Sequence, residues 1–301
     1  MSSADRLAAF RRARGRPAPR TRRTVRVRGL DLAVWTTPDV PGATPLLCVN
    51  GGLIFDHGSL WPSLAPLAER RQVVLFDQRG RGRSAAPPGP RAARIEHDAG
   101  DVAALRAELG LERYDLLGHS WGGGVAMLAA AQDAAAVRRL VLVDPVAPTG
   151  WWLPLMHERA LARLPDPERA ELAVLDPARL AEPDPAAHAA YARAFAPAWF
   201  ADLSLAPLFT PPLVETATGS AVAARLRREG YDWRDRVATI RARTLVVRGG
   251  DDALPPEAHE QVVAAIPDAR LAVVAGAGHM PFWERPEDFL PLVAEFLDAD
   301  A

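Results

Sequence analysis

Short continuous apolar runs alternate with helical patterns along most of the chain. "PLLCVNG" (45–51), "QVVLFDQRG" (72–80), "YDLLGH" (114–119) and "VRRLVLVDP" (137–145) hold three to five apolar residues with little alternation. Such runs mark strands buried on both faces, the habit of parallel sheets. Ahead of them, "TVRVRG" from Thr24 and "LDLAVWTT" from Leu30 read as an antiparallel pair turning at Gly29-Leu30-Asp31. Between the runs, Ser59–Arg70 and Trp121–Gln132 read as helices, as does Ile95–Leu109, which puts Val102, Leu105 and Leu109 on one face.

The pattern breaks near Thr149. Residues 150–236 are rich in Pro, Ala, Trp and Leu, with helical stretches and no convincing strand. Alternation resumes with the strand "RTLVVRGG" (243–250), a helix over Pro256–Ala265, the strand "ARLAVVAG" (269–276) and a last helix near Glu287–Leu297. These eight strand candidates imply an α/β fold: a mostly parallel eight-stranded sheet, helices on both faces, and a helical insertion after the sixth strand. The expected divisions are a basic arm at 1–23, a first core part at 24–149, a helical cap at 150–236 and a second core part at 237–301.

Composition narrows the chemistry. The chain has 301 residues, of which 49% are hydrophobic, enough for one large domain with an insertion. Its formal net charge of -1 gives no reason to expect a nucleic-acid partner. Every basic residue other than histidine is arginine, so lysine Schiff-base and lysine general-base chemistry are excluded. The single Cys48 rules out an intrachain disulfide framework. Ten arginines and one acid, Asp5, fall between Met1 and Arg28, which reads as a solvated arm. No 18-residue apolar run occurs, so no membrane span is expected and a cytoplasmic location is. The oligomeric state is not legible.

The stretch "GHSWGGG" places Ser120 in a G-x-S-x-G pattern, entered by an apolar strand and left by a small-residue helix. That context suits a strained strand-to-helix turn that raises a nucleophile, with the Trp121 amide aimed at a developing oxyanion. Neither G-x-G-x-x-G nor G-x-x-x-x-G-K-[ST] fits these residues, so a phosphate loop is disfavoured. A nucleophilic serine needs a base and an orienting acid. His279, in "VVAGAGHMPFWERP", and an aspartate of "LVVRGGDDALPP" both follow predicted strands, where sites in open α/β sheets gather.

With these motifs, "DQRGRGRS" (77–84) and "GAGHMPFWERPEDF" (276–289), the chain resembles the α/β-hydrolase superfamily from about Val25 onward. The resemblance implies a Ser120–Asp252–His279 triad, the acid being the last residue of a G-x-x-D turn. Asp251 is the second candidate for that acid and Asp144 a third. A serine at the elbow sets the chain apart from epoxide hydrolases and haloalkane dehalogenases. Within the serine branch it is most similar to proline iminopeptidase-like hydrolases (peptidase family S33). Those carry His-Gly-Gly-Pro-Gly at the oxyanion loop, where this chain has Asn50-Gly51-Gly52-Leu53-Ile54. The resemblance implies that backbone amides of Gly52 and Trp121 form the oxyanion hole. Asn50 is expected to orient that loop, and Leu53 and His57 to line the pocket.

The expected activity is cleavage of an acyl bond through an acyl-enzyme, with a small peptide or amide bearing a free N-terminus as substrate. The alternatives are a carboxylesterase or lactonase acting on an apolar ester, and a non-catalytic ligand-binding protein of the same fold. An aminopeptidase must also hold an ammonium group, for which Glu158, Glu171, Glu182, Glu215 and Glu229 are available in the insertion. No metal or organic cofactor is expected.

Overall fold

The structure, a computed structural model, describes residues 20–210, 212–213 and 216–299, so the first nineteen residues of the basic arm lie outside it. Eight strands form one sheet in the order β1-β2-β4-β3-β5-β6-β7-β8. They are β1 (Thr21–Val27), β2 (Leu30–Thr36), β3 (Leu46–Val49), β4 (Val73–Phe76), β5 (Tyr114–His119), β6 (Val137–Val143), β7 (Arg243–Gly249) and β8 (Ala269–Val274). β2 pairs antiparallel with both β1 and β4, and all other pairings are parallel. β1 begins three residues earlier than the boundary drawn at Thr24, because Thr21–Arg23 continue the ladder against Val34–Thr36.

The central strands β3 to β7 are buried on both faces, as continuous apolar runs require. Leu47, Val49, Leu116, Leu140, Leu142 and Val246 face one core, whereas Leu46, Cys48, Leu117, Val141, Val143 and Leu245 face the other. The first core is covered by α1 (Ile95–Glu108) and α2 (Trp121–Gln132). One expected helix is absent. Ser59–Arg70 resolves into two short 3-10 turns, His57–Ser59 and Ala65–Glu69. Pro62 and Pro66 explain this, since each removes an amide donor and crowds the preceding turn.

Between β6 and β7 the chain forms α3 (Leu153–Arg163), α4 (Asp166–Ala173), α5 (Pro185–Phe195), α6 (Ala217–Glu229) and the single turn α7 (Arg234–Val237). This segment has its own small apolar cluster around Ala160, Leu172, Leu180 and Phe195. After β7 come α8 (Pro256–Ala265), α9 (Pro281–Glu284) and α10 (Pro286–Asp298), the last closing the second core through Phe289, Val293 and Phe296. No helix among the described residues is long and apolar enough to cross a membrane.

Candidate active site

β5 runs straight into the turn that holds Ser120. Its backbone there is left-handed, φ 54° and ψ -123°, a conformation that costs a non-glycine residue about 1–3 kcal/mol. The strain is held by the ends of the turn: the Ser120 amide donates to Val143 O at 2.9 Å, and its carbonyl accepts from Gly123 N at 2.8 Å. The flanking glycines are dictated by close approach. A Cβ on Gly118 would lie 2.4 Å from the Gly122 carbonyl, and one on Gly122 would lie 2.3 Å from the Val49 carbonyl. The turn therefore presses α2 against the end of β3. Ser120 caps α2 through its backbone, leaving the Trp121 amide in the first turn, where helix amides favour negative charge.

His279 and Asp252 meet across the carboxyl ends of β7 and β8. His279 Nδ1 donates to Asp252 Oδ2 at 2.9 Å, and Asp252 Oδ1 accepts from the Leu254 amide at 3.2 Å. The pair is buried, His279 being 4% and Asp252 1% exposed. Burial alone would raise the Asp252 carboxyl, but the charge and hydrogen bond of His279 outweigh it and hold the group well below the usual range. Asp251, the second candidate acid, is exposed and gives His279 no hydrogen bond. Asp144, the third, lies behind the pair at the end of β6. Its Oδ1 accepts from Gly249 N at 2.8 Å, and burial beside Asp252 pushes its carboxyl upward.

Two buried histidines brace this centre. His119 donates through Nε2 to the His279 carbonyl at 2.8 Å, tying the serine turn to the histidine loop. Burial, then the neighbouring His279, pushes its imidazole down to about 3, so it stays neutral. His259, fully buried on α8, lies 3.7 Å from Asp144 Oδ1 and 3.9 Å from Asp252 Oδ2.

The loop 50–55 is held from three sides. Asn50 Nδ2 donates to Gly51 O at 3.1 Å and Phe55 O at 3.0 Å, and Gln78 Nε2 donates to Asn50 O at 2.9 Å. Arg81 Nε donates to Leu53 O at 2.8 Å while its guanidinium pairs with Asp98 on α1. "DQRGRGRS" is thus the brace of this loop, and Asp98 and Asp101 act as arginine partners beyond their helix-dipole position. Gly51 has no room for a side chain, since a Cβ would sit 2.7 Å from that of Ser120.

Ser120, His279, Gly52, Leu53 and Trp121 border one cavity of about 110 Å³. His57 does not. Its Nδ1 pairs with Asp77 at 2.8 Å and its ring stacks on Trp35 at 3.6 Å, which turns it away from the pocket it was expected to line. The roof comes from the 150–236 segment through Trp152, Leu180, Tyr191, Phe195 and Trp199. Among the described residues no aspartate or glutamate borders the cavity, and its cationic side chain is Arg227 of α6. Glu158, Glu171, Glu182 and Glu229 point to solvent, and Glu215 lies outside the described residues. Arg227 carried no sequence motif; only its place on the inner side of an otherwise amphipathic helix marks it.

The roof is tied to the loops that carry Asp252 and His279. Arg159 donates to Ala253 O at 2.9 Å and Arg163 to Phe200 O at 2.9 Å. The His279 amide donates to Trp199 O at 2.6 Å. Glu284, 2% exposed, accepts from the amides of Ala201 at 2.8 Å, Asp202 at 3.2 Å and Gly278 at 2.5 Å. Among the described residues two groups have metal-ligating types within 4.8 Å, Asp56-His57-Asp77 and Asp144-Asp252-His279. In both, the histidine Nδ1 is already engaged by an aspartate, so neither offers a free donor set.

The profile of the alpha/beta hydrolase family matches residues 46–292. A proline iminopeptidase of Lactobacillus delbrueckii subsp. bulgaricus is 28% identical over 272 residues, covering 84% of this chain and 89% of the relative. The crystal structure of proline iminopeptidase from Mycobacterium smegmatis superposes with a TM-score of 0.69 at 26% identity, over 92% of this chain and 97% of that one. The enol-lactonase from Burkholderia xenovorans gives 0.68 at 25% identity, over 92% and 100%. With the family profile spanning most of the chain, the protein belongs to the alpha/beta hydrolase family and is a hydrolase.

Proposed function

We propose that the protein cleaves a carboxylic ester or lactone by acyl transfer to Ser120. His279, oriented through Nδ1 by Asp252, takes the serine proton at Nε2 as Oγ attacks the carbonyl carbon. Asp252 fixes the tautomer and stabilises the imidazolium without itself taking a proton. The amides of Gly52 and Trp121 carry the negative charge of the tetrahedral oxyanion, in a cavity where low dielectric strengthens each hydrogen bond. His279 then returns the proton to the leaving alkoxide, and water, activated by the same base, frees the acid from the acyl-enzyme. The observation that carries this reading is the 2.9 Å His279–Asp252 hydrogen bond beside a left-handed serine on one cavity.

The choice of ester over peptide rests on the cavity wall. An aminopeptidase holds its substrate's ammonium with carboxylates, and here the wall offers a guanidinium and no carboxylate among the described residues. The aminopeptidase reading is favoured by the motifs and by similarity to proline iminopeptidases, but its substrate's ammonium carries the same charge as Arg227. We further propose that residues 150–236 act as a cap whose aromatic roof selects the acyl or alcohol group.

A fluorophosphonate probe is expected to label the wild type and not Ser120→Ala. Equal labelling of the two, or of neither, removes the nucleophile assignment. p-Nitrophenyl butyrate is expected to be hydrolysed faster than prolyl or alanyl p-nitroanilide, and the reverse order reinstates the peptidase.

A further inference from the structure

Among the described residues Arg227 has no ionic partner: no carboxylate pairs with it, and the groups that act on its charge are the phenols of Tyr191 and Tyr231. It is only partly exposed, and burial lowers its guanidinium from the ordinary value. A half-buried cation without a counter-charge is less well stabilised than a paired one, and a ligand that brings the charge makes up the difference.

Its position fits that role. Arg227 borders both the cavity over Ser120 and an outer cleft with His157 and Glu158, with Tyr191 shared between the two. An aromatic wall joins it to the reaction centre: Trp121, next to the nucleophile, lies 5.7 Å from the Trp152 ring, and Trp152 Nε1 donates to Tyr231 OH at 2.9 Å. That hydroxyl, having accepted from the indole, keeps its own proton to donate. His188, 7% exposed, borders the same cavity with its Nε2 lacking a well-formed hydrogen bond. Everything else on the roof is apolar.

We infer that Arg227 binds a carboxylate carried by the substrate, so that the preferred ester is a half-ester of a dicarboxylic acid, its free carboxylate at the guanidinium beside Tyr191 and its ester carbonyl at Ser120. The carboxylate accepts from the fork of guanidinium N–H groups, a bidentate geometry that an ammonium cannot reproduce. The aromatic wall takes the methylene chain between the two ends. The inference rests on the serine-ester reading above and names the substrate class for it.

The test compares mono-p-nitrophenyl adipate with its methyl ester, which has the same scissile bond and chain but no charge. Wild type is expected to favour the charged ester by roughly tenfold or more in kcat/KM, the scale of a charge-assisted bidentate pair. In Arg227→Gln that ratio is expected to fall to about one, with Arg227→Lys between the two because a point charge loses the fork. Arg227→Gln is also expected to melt no lower than wild type, since it removes an unpaired cation. A wild-type ratio of one or below, or a ratio unchanged in Arg227→Gln, overturns the assignment. So does a clear fall in melting temperature with the ratio intact, which makes Arg227 a structural residue. If fluorophosphonate labels Ser120 while the ratio is one, Arg227 alone is misassigned. If Ser120 is not labelled and neither ester is cleaved, the serine-ester reading falls and takes this inference with it.

Discussion

Arg81 offers the sharpest test of how the oxyanion loop is held. Its side chain and that of Asp98 are both wholly buried. The guanidinium makes two bonds to Asp98, at 2.8 and 3.1 Å, one to Arg79 O at 2.8 Å and one to Leu53 O at 2.8 Å. Leu53 itself sits at φ 49°, so its strained peptide depends on that last bond. Arg81→Met leaves a buried carboxyl and two carbonyls without a donor. Stranding one partner of a buried pair costs about 3–5 kcal/mol, and for a chain of this size that lowers the melting temperature by roughly 6–20 °C. Arg81→Met/Asp98→Leu removes both charges and is expected to recover most of that loss, because a well-packed apolar pair replaces an ion pair at little cost. The Leu53 carbonyl stays untethered in both variants, so kcat/KM on p-nitrophenyl butyrate is expected to stay down about 10- to 100-fold in both. Thermal unfolding and steady-state kinetics on the two variants separate the effects. A melting point within 2 °C of wild type for Arg81→Met, on the scale where each kcal/mol is worth about 2–4 °C, refutes the burial argument. Activity restored along with stability in the double variant refutes the role in holding the loop.

Asp252→Asn keeps the shape of the triad but offers His279 a donor or the wrong tautomer, and is expected to lower kcat by about 10³–10⁴; Asp251→Asn is expected to leave it within about twofold, and equal losses refute the assignment of the acid. His259 is held down to about 4 by burial, against the nearby Asp252. The unfolded imidazole takes its proton near 6.5 while the folded one resists, so stability falls as pH drops through that window. Wild type is expected to lose on the order of 3 kcal/mol relative to His259→Gln between pH 6.5 and 4, and parallel urea-unfolding curves refute the burial effect. Glu284 has the opposite sign: burial, opposed by the three amides it accepts from, pushes its carboxyl up to about 7 from 4.5. Its contribution is full below pH 4.5 and lost as pH rises through 7, so wild type is expected to lose on the order of 3 kcal/mol relative to Glu284→Gln across that range. A difference that stays constant with pH refutes it.

What was legible in the sequence is what depends on short stretches of chain. Strands buried on both faces need unbroken apolar runs, so β3 to β7 stand out in the text. The serine turn needs glycines at 118 and 122 because neighbouring backbone comes within about 2.3 Å of a Cβ there. Features that arise from distant segments meeting were legible only where the family resemblance implied them, as for Asp252 and His279. His57 follows the oxyanion loop in sequence, yet Asp77 and Trp35 hold its ring elsewhere. The expected helix over 59–70 matched the apolar spacing, but Pro62 and Pro66 overrode it. Arg227 sits two residues before the end of α6, among small and charged residues, and nothing local in the sequence distinguishes it from Arg225 or Arg228.

The contrast among the arginines carries the last step. With no lysine in the chain, every fixed cation is a guanidinium, and the ones with a structural task are visibly saturated. Arg81 reaches a carboxylate and two carbonyls, and Arg79 pairs with Asp101. Arg159 and Arg163, on the same insertion as Arg227, spend their donors on the carbonyls of Asp252, Ala253 and Phe200, holding the roof to the acid loop. Those bonds fix the distance between the aromatic roof and His279, so the cavity is framed before a substrate enters, as preorganised catalysis requires. Arg227 lies on the inner face of that frame with its donors uncommitted among the described residues, bordering the cavity over Ser120. Its charge therefore discriminates between substrates without being needed to hold the fold, which is where a specificity group is best placed.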